Sequence, residues 1–162
     1  MEAIIFTGLQ ASGKSSFYRE RFFDTHVRIN LDMLRTRNRE RLLLQACLAM
    51  KQPLVVDNTN PTAADRARYV EPARHARFRI VAYYFQPDVQ GSRARNELRS
   101  GKARVPVGAI YGTAGRLEPP AWEEGFDAIY DVWVVVGGFR VEERVRGPEY
   151  QENSGYREGF ME

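Results

Sequence analysis

The eight residues Gly8-Leu9-Gln10-Ala11-Ser12-Gly13-Lys14-Ser15 constrain this chain more than any other stretch, because they match the spacing G-x-x-x-x-G-K-[ST]. In that spacing the glycines let successive backbone N–H groups wrap round phosphate oxygens. The lysine neutralises their charge, and the final hydroxyl holds Mg²⁺. An apolar run, Ala3-Ile4-Ile5-Phe6, leads into the loop, and the helix-compatible Ser16-Phe17-Tyr18-Arg19-Glu20-Arg21 leads out of it. Strand, tight turn and helix in that order aim a helix N-terminus at the bound anion, which a chance glycine-rich turn with an exposed lysine has no reason to do.

The rest of the sequence alternates. Short apolar runs at 3–6, 27–29, 54–56, 79–85 and 129–136 are separated by segments with helical spacing, the pattern of βαβ units and a parallel sheet. A length of 162 residues suits one domain with its own core. The expectation is an α/β fold of the P-loop NTPase and phosphotransferase kind: three layers, a central mostly parallel sheet of about five strands and a small helical lid. The domain is expected over 1–139, with the lid at about 88–106. Residues 140–162, charged and poor in aliphatics, read as a polar tail, disordered or loosely docked. Asn60-Pro61 reads as a helix start, and Pro72 as a kink or end of that helix.

Charge and cysteine content narrow the function. Lysine and arginine outnumber aspartate and glutamate by 24 to 21. Residues 65–104 hold ten basic and four acidic side chains, which makes the central third the expected face for an anionic ligand, with a merely solvated arginine surface as the alternative. A single cysteine, Cys47, excludes an internal disulfide and points to a reducing cytoplasm. It lies in an apolar helical segment and reads as core filling. With only His26 and His75 beside it, no zinc site of ordinary spacing is expected. No apolar run approaches a membrane span, and the N-terminus passes straight into the first strand, so no signal sequence, no membrane association and no obligate protein partner are expected.

Three further segments carry candidate chemistry. In Val27-Arg28-Ile29-Asn30-Leu31-Asp32-Met33-Leu34-Arg35, Asp32 lies just past a strand end, where the crevice of an α/β sheet opens. Phosphoryl transfer to a hydroxyl needs a carboxylate to orient the acceptor and take its proton, and an arginine to hold a phosphate. Asp32 and Arg35, three apart on one helical face, suit both tasks; a helix cap with a surface partner is the alternative. Asp57, ending Leu54-Val55-Val56, is placed for Mg²⁺ or its water, unless Asp57-Asn58-Thr59-Asn60 is only turn chemistry. Arg95 and Arg99, four apart and followed by Gly101 and Pro106, suit a closing lid that stabilises phosphoryl charge, or an exposed arginine helix.

Taken in order, the loop, Asn30-x-Asp32-x-x-Arg35, Asp57-x-Thr59-Asn60 and Arg95-Asn96-x-x-Arg99 with Val105-Pro106 resemble the 5′-hydroxyl polynucleotide kinase branch of the P-loop phosphotransferases. The likeness covers 3 to about 136 and includes Glu124-Gly125-Phe126-Asp127. It implies ATP and Mg²⁺ as cofactors, with Gly8, Gln10, Ala11, Ser12, Gly13, Lys14, Ser15, Ser16, Arg95 and Arg99 binding nucleotide. Lys14 would contact the β and γ phosphates, Ser15 and Asp57 would serve the metal, Asp32 would activate the acceptor 5′-OH, Arg35 would meet the acceptor side, and Arg99 would act with Arg95 on the donor. The fused phosphatase, ligase or HD-type modules of that branch have no counterpart, since no Asp-x-Asp-Gly-Thr motif or His-Asp dyad occurs. The acceptor therefore stays open between a polynucleotide 5′ end, along a track including Arg66, Arg68, Tyr69 and Arg74, and a small metabolite. A non-catalytic ATP-binding module is the third reading. A protein kinase is disfavoured, because His-Arg-Asp and Asp-Phe-Gly are absent.

Overall fold

The computed structural model describes residues 1–148. Six strands, β1 Glu2–Thr7, β2 Val27–Ile29, β3 Leu54–Val56, β4 Arg79–Phe85, β5 Ala128–Val135 and β6 Gly138–Glu143, form one sheet in the order β2-β3-β1-β4-β5-β6. The first five pair in parallel and β6 runs antiparallel to β5. The helices are α1 Lys14–Arg21, α2 Leu31–Leu34, α3 Arg37–Ala49, α4 Ala63–His75, α5 Val89–Glu97 and α6 Val107–Arg116, with 3₁₀ turns at Gly101–Ala103 and Trp122–Glu124.

Residue alternation along β1 builds the two cores. Ala3 and Ile5 face Leu44, Cys47 and Leu48 of α3 and Tyr69, Val70 and Ala73 of α4. Ile4 and Phe6 face Phe17 and Tyr18 of α1 on the other side. A strand with both faces covered reads as a continuous apolar run, as this one does. Phe6, Phe17 and Phe85 meet edge to face at centroid distances of 5.2 to 5.8 Å, so the helix that follows the loop is fixed against the sheet by aromatic packing.

The five expected parallel strands are all present, and the sixth lies in what reads from sequence as the tail. From 138 the chain turns back through Gly137, at φ 81°, and pairs Gly138–Glu143 along the open edge of β5. Arg144 then bonds Asp131 through two nitrogens at 2.6 and 3.1 Å, and Arg146 donates to the Phe126 carbonyl at 2.7 Å. Edge pairing and two arginine clasps dock the segment to 146, which charge content alone does not reveal. The remainder of the expected tail, from 149 on, lies outside the described residues.

Two boundaries also differ. Asn60 does not cap α4: Thr62 does, in a capping box with Asp65. Asn60 instead takes φ 42° and donates its side-chain amide to the Phe6 carbonyl at 2.8 Å, tying the loop after β3 to β1. Pro72 does not end α4: it lies inside the helix in its last turns, where a missing N–H costs one helical bond, and α4 runs on to His75. Cys47 is buried in the core, as expected. Among the described residues no helix is long and apolar enough to cross a membrane.

Candidate active site

The loop between β1 and α1 is shaped by what surrounds its glycines. A Cβ on Gly8 would lie 2.8 Å from the Phe85 Cβ, and one on Gly13, at φ 89°, 2.9 Å from the Phe139 ring. Both positions therefore demand glycine, the second on backbone grounds as well. Gly13 is the N-cap of α1, with no side-chain cap and no acidic residue in the first turn, so the helix start keeps its N–H groups and positive field for an anion.

Lys14 is buried inside the loop it serves. Its ammonium donates to the carbonyls of Gly8, at 3.0 Å, and Leu9, and to Ser12 Oγ at 3.2 Å. Burial pushes its pKa down to about 8; Asp57 and Asp32 pull it up, and Arg99 pushes it further down. Asp57, Arg99 and Asp32, all remote in sequence, thus act electrostatically on this one ammonium.

Asp57 directly follows β3, with 2% of its side chain exposed, and accepts the Ser15 hydroxyl at 2.8 Å. A hydroxyl and a carboxylate brought together this closely form an oxygen-only pair, the donor type that suits Mg²⁺, so these residues fit the metal the motif implies. Among the described residues no group of three or more His, Cys, Asp or Glu converges as a metal site.

Asp32 stands on α2, a single turn held twice at its N-terminal end. Asn30 caps it, accepting the Met33 N–H at 2.9 Å, and Asn58 Oδ1 accepts the Leu31 N–H at 2.9 Å. Asn58 is fixed in turn by the buried Glu40, to which its amide donates at 3.0 Å, while Tyr69 and Arg37 donate to the other Glu40 oxygen at 3.0 and 2.8 Å. Sequence reading found Asp32 and missed this support, because Glu40 and Tyr69 are 29 residues apart and meet only through helix packing.

Arg35 does not share a helical face with Asp32. One turn is too short, and Arg35 lies past its end at φ 73°, exposed, redirecting the chain into α3. Arg95 and Arg99 are likewise not on one helix: α5 ends at Glu97, and Arg99 follows its cap residue Leu98. Arg95 Nε donates to the Ala11 carbonyl at 2.6 Å, so α5 is tied directly to the loop. Gln10 makes a second tie, donating to Thr113 of α6 at 2.9 Å. Asn96 clasps Val105 in both directions, at 2.8 and 2.9 Å, and so closes the turn that carries Arg99. Ala11, at φ 54°, and Ser12 are buried in the loop, and Ser16 is exposed on α1.

The basic track expected on α4 is largely committed elsewhere. Arg66 is fully buried, paired to both Glu124 oxygens at 2.7 Å and donating to the carbonyls of Asn60, Pro61 and Glu118. Tyr69 is buried against Glu40, and Arg74 donates to the Glu124 carbonyl at 2.8 Å, which leaves Arg68 exposed. Glu124-Gly125 thus anchors α4; a Cβ on Gly125 would collide with the Arg74 guanidinium.

A family model described as AAA domain matches residues 32–120, more than half of the 162. The chain belongs to the AAA domain family. The match contains Asp32, Arg35, Asp57, Arg95 and Arg99, and the phosphate-loop motif precedes it. This AAA domain is 26% identical over 135 residues to the bifunctional polynucleotide phosphatase/kinase of Schizosaccharomyces pombe, covering 81% of this chain and 33% of that protein. The chain therefore spans about a third of the length of that curated relative. Among solved structures it resembles a gluconokinase from Sinorhizobium meliloti, with TM-score 0.57 and 20% identity over 83% of each chain. It also resembles a sugar kinase from Janibacter sp., with TM-score 0.60 and 14% identity over 81% of this chain and 85% of that one. Kti12 of Chaetomium thermophilum, solved with ADP-AlF3, gives TM-score 0.57 and 18% identity over 80% and 87%. At these identities the likeness establishes the fold alone, a mostly parallel α/β sheet covered by helices.

Proposed function

We propose that this AAA domain is an ATP-dependent kinase that transfers the γ-phosphoryl group to a hydroxyl, with the 5′-OH end of DNA or RNA as the first candidate acceptor. The observation that carries it is the Ser15–Asp57 hydrogen bond of 2.8 Å beside the phosphate loop, with Asn30 tying the turn that bears Asp32 to the Asp57 backbone. The loop N–H groups and Lys14 hold the donor phosphates, and Arg99 adds positive charge from the α5–α6 side. Asp32 orients the acceptor oxygen and takes its proton as that oxygen bonds the γ phosphorus and the bond to the bridging oxygen of ADP breaks. Ser15 and Asp57 would hold Mg²⁺, which supplies charge neutralisation at the transferring group.

The polynucleotide acceptor is supported by the S. pombe relative and by the cations close to Asp32 in the chain. Arg35, Arg39 and Arg41 are all exposed on the segment that follows α2 in sequence, cations that the phosphates of a strand would meet. The small-metabolite reading draws on the burial of Arg66 and Tyr69, which removes half of the expected strand track. Incubation with Mg-ATP and 5′-OH oligonucleotides, in parallel with a panel of sugars and other small alcohols, separates the two. Label transfer to oligonucleotides that weakens with salt and on Arg39→Ala supports the first; transfer only to a small alcohol replaces it with the second.

A further inference from the structure

The Ser15–Asp57 pair is bridged by a cation that the chain itself supplies. Arg28, in the middle of β2, donates through Nε to Asp57 Oδ2 at 2.8 Å, and one of its terminal nitrogens lies 2.7 Å from the same oxygen. That terminal nitrogen also donates to Ser15 Oγ at 2.9 Å. Ser15 itself donates to Oδ2, so this one carboxylate oxygen accepts three donors. The guanidinium is held from outside by the Tyr18 ring, 5.8 Å from its centroid, and Tyr18 is fixed by its hydroxyl on the His26 carbonyl at 2.7 Å.

A divalent cation placed on Ser15 Oγ and Asp57 needs the lone pairs that Arg28 engages, and it repels a guanidinium at this range. The two cations cannot both be held there at full strength. We propose that Arg28 is a resident counter-ion which competes with the divalent cation for Ser15 and Asp57, so that metal enters with the nucleotide phosphates as the guanidinium gives way. The inference rests on the phosphate-binding reading of the loop. It has two consequences of opposite sign. Without metal, Arg28 cancels the Asp57 charge and so favours a phosphate ligand nearby; with metal, Arg28 is a rival.

The test measures ADP and inorganic tripolyphosphate binding by calorimetry, in excess EDTA and in millimolar Mg²⁺, for the wild type, Arg28→Gln and, as a remote charge control, the exposed Arg21→Gln. Arg28→Gln is expected to bind both ligands more weakly in EDTA and more tightly in Mg²⁺. Its metal dependence should grow by about tenfold or more, the scale of coupling between charges in direct contact. Arg21→Gln should move both conditions alike. A change at Arg28 that is the same factor with and without Mg²⁺ overturns the proposal. If Arg28→Gln does not melt cooperatively, the equally neutral Arg28→Met is read the same way, and a metal dependence within about twofold of wild type overturns the proposal. Wild type that binds neither ligand under either condition overturns the loop's reading itself and this inference with it.

Discussion

Asn30 donates its side-chain amide to the backbone carbonyl of Asp57 at 2.5 Å, joining the residue that starts the helix of Asp32 to the residue that follows β3. One side chain thereby ties the turn that carries Asp32 to the backbone at Asp57. Asn30 also caps α2, so Asn30→Ala loses the cap and leaves a buried carbonyl unpaired, an expected cost of about 2 kcal/mol. Urea unfolding measures it. Phosphoryl transfer should fall further than the fraction folded accounts for, whereas nucleotide affinity should change little.

Asp32→Asn keeps the shape of the side chain and removes the carboxylate proposed as the base. The expected result is a rate lowered by about 10²- to 10⁴-fold with ATP affinity preserved. A variant that retains its full effect on a bound partner while losing nothing measurable in turnover fits a binding module instead.

Lys14 sets a pH dependence. Burial lowers its pKa from the ordinary 10.5 to about 8 in the folded protein, so the ammonium is half deprotonated near pH 8 and mostly so above it. Phosphate favours the ammonium, so nucleotide binding above that pH takes up a proton and weakens by at most about tenfold per pH unit. Calorimetry in buffers of different ionisation enthalpy reads the uptake directly. Between pH 8 and 10.5 the unfolded chain binds this proton more tightly than the folded one, so the same lysine makes the ligand-free protein gain stability as pH rises through that window.

Arg66 and Glu124 test the division between structure and substrate contact. Both guanidinium bonds are short and Arg66 is fully buried, so Glu124→Gln or Arg66→Met, which breaks the pair from one side, should destabilise by about 3 to 5 kcal/mol. Thermal melts and urea titrations measure the loss. At temperatures where Arg66→Met is folded, its KM for any acceptor should match wild type.

Arg35 is held at φ 73°, a conformation that costs an L residue of order 1 kcal/mol or more. Arg35→Gly relieves that strain and should leave the melting temperature unchanged or raised, while raising the KM for an anionic acceptor. A drop in stability would show that the arginine side chain holds the turn.

The parts of this site legible in the sequence are those set by local chemistry. Gly8 and Gly13 are written into the motif because no Cβ fits there, and Asp57 is legible because a carboxylate after Leu54-Val55-Val56 must emerge at a strand end. The apolar runs gave away five strands for a related reason: a strand covered on both faces is mostly apolar. Arg28 and Arg66 carried no such signal. Each is an arginine among 21 arginines, and whether it is a surface cation or a buried clamp depends on what stands opposite it.

Strand order decided that. Placing β2 beside β3 in parallel register, Ile29 against Val56, brings Asn30 and Arg28 to Asp57 across 27 and 29 residues of sequence. Pairing β6 along β5 likewise turned a charged tail into an edge strand and set Phe139 against Gly13. The sequence by itself determined that a phosphate loop, a run of parallel strands and an acidic residue at two strand ends exist, since each follows from neighbouring residues. Which cations guard those acids was left to the tertiary structure, because charge partners are chosen by distance through space, and that distance is fixed only when the strands take their places in the sheet.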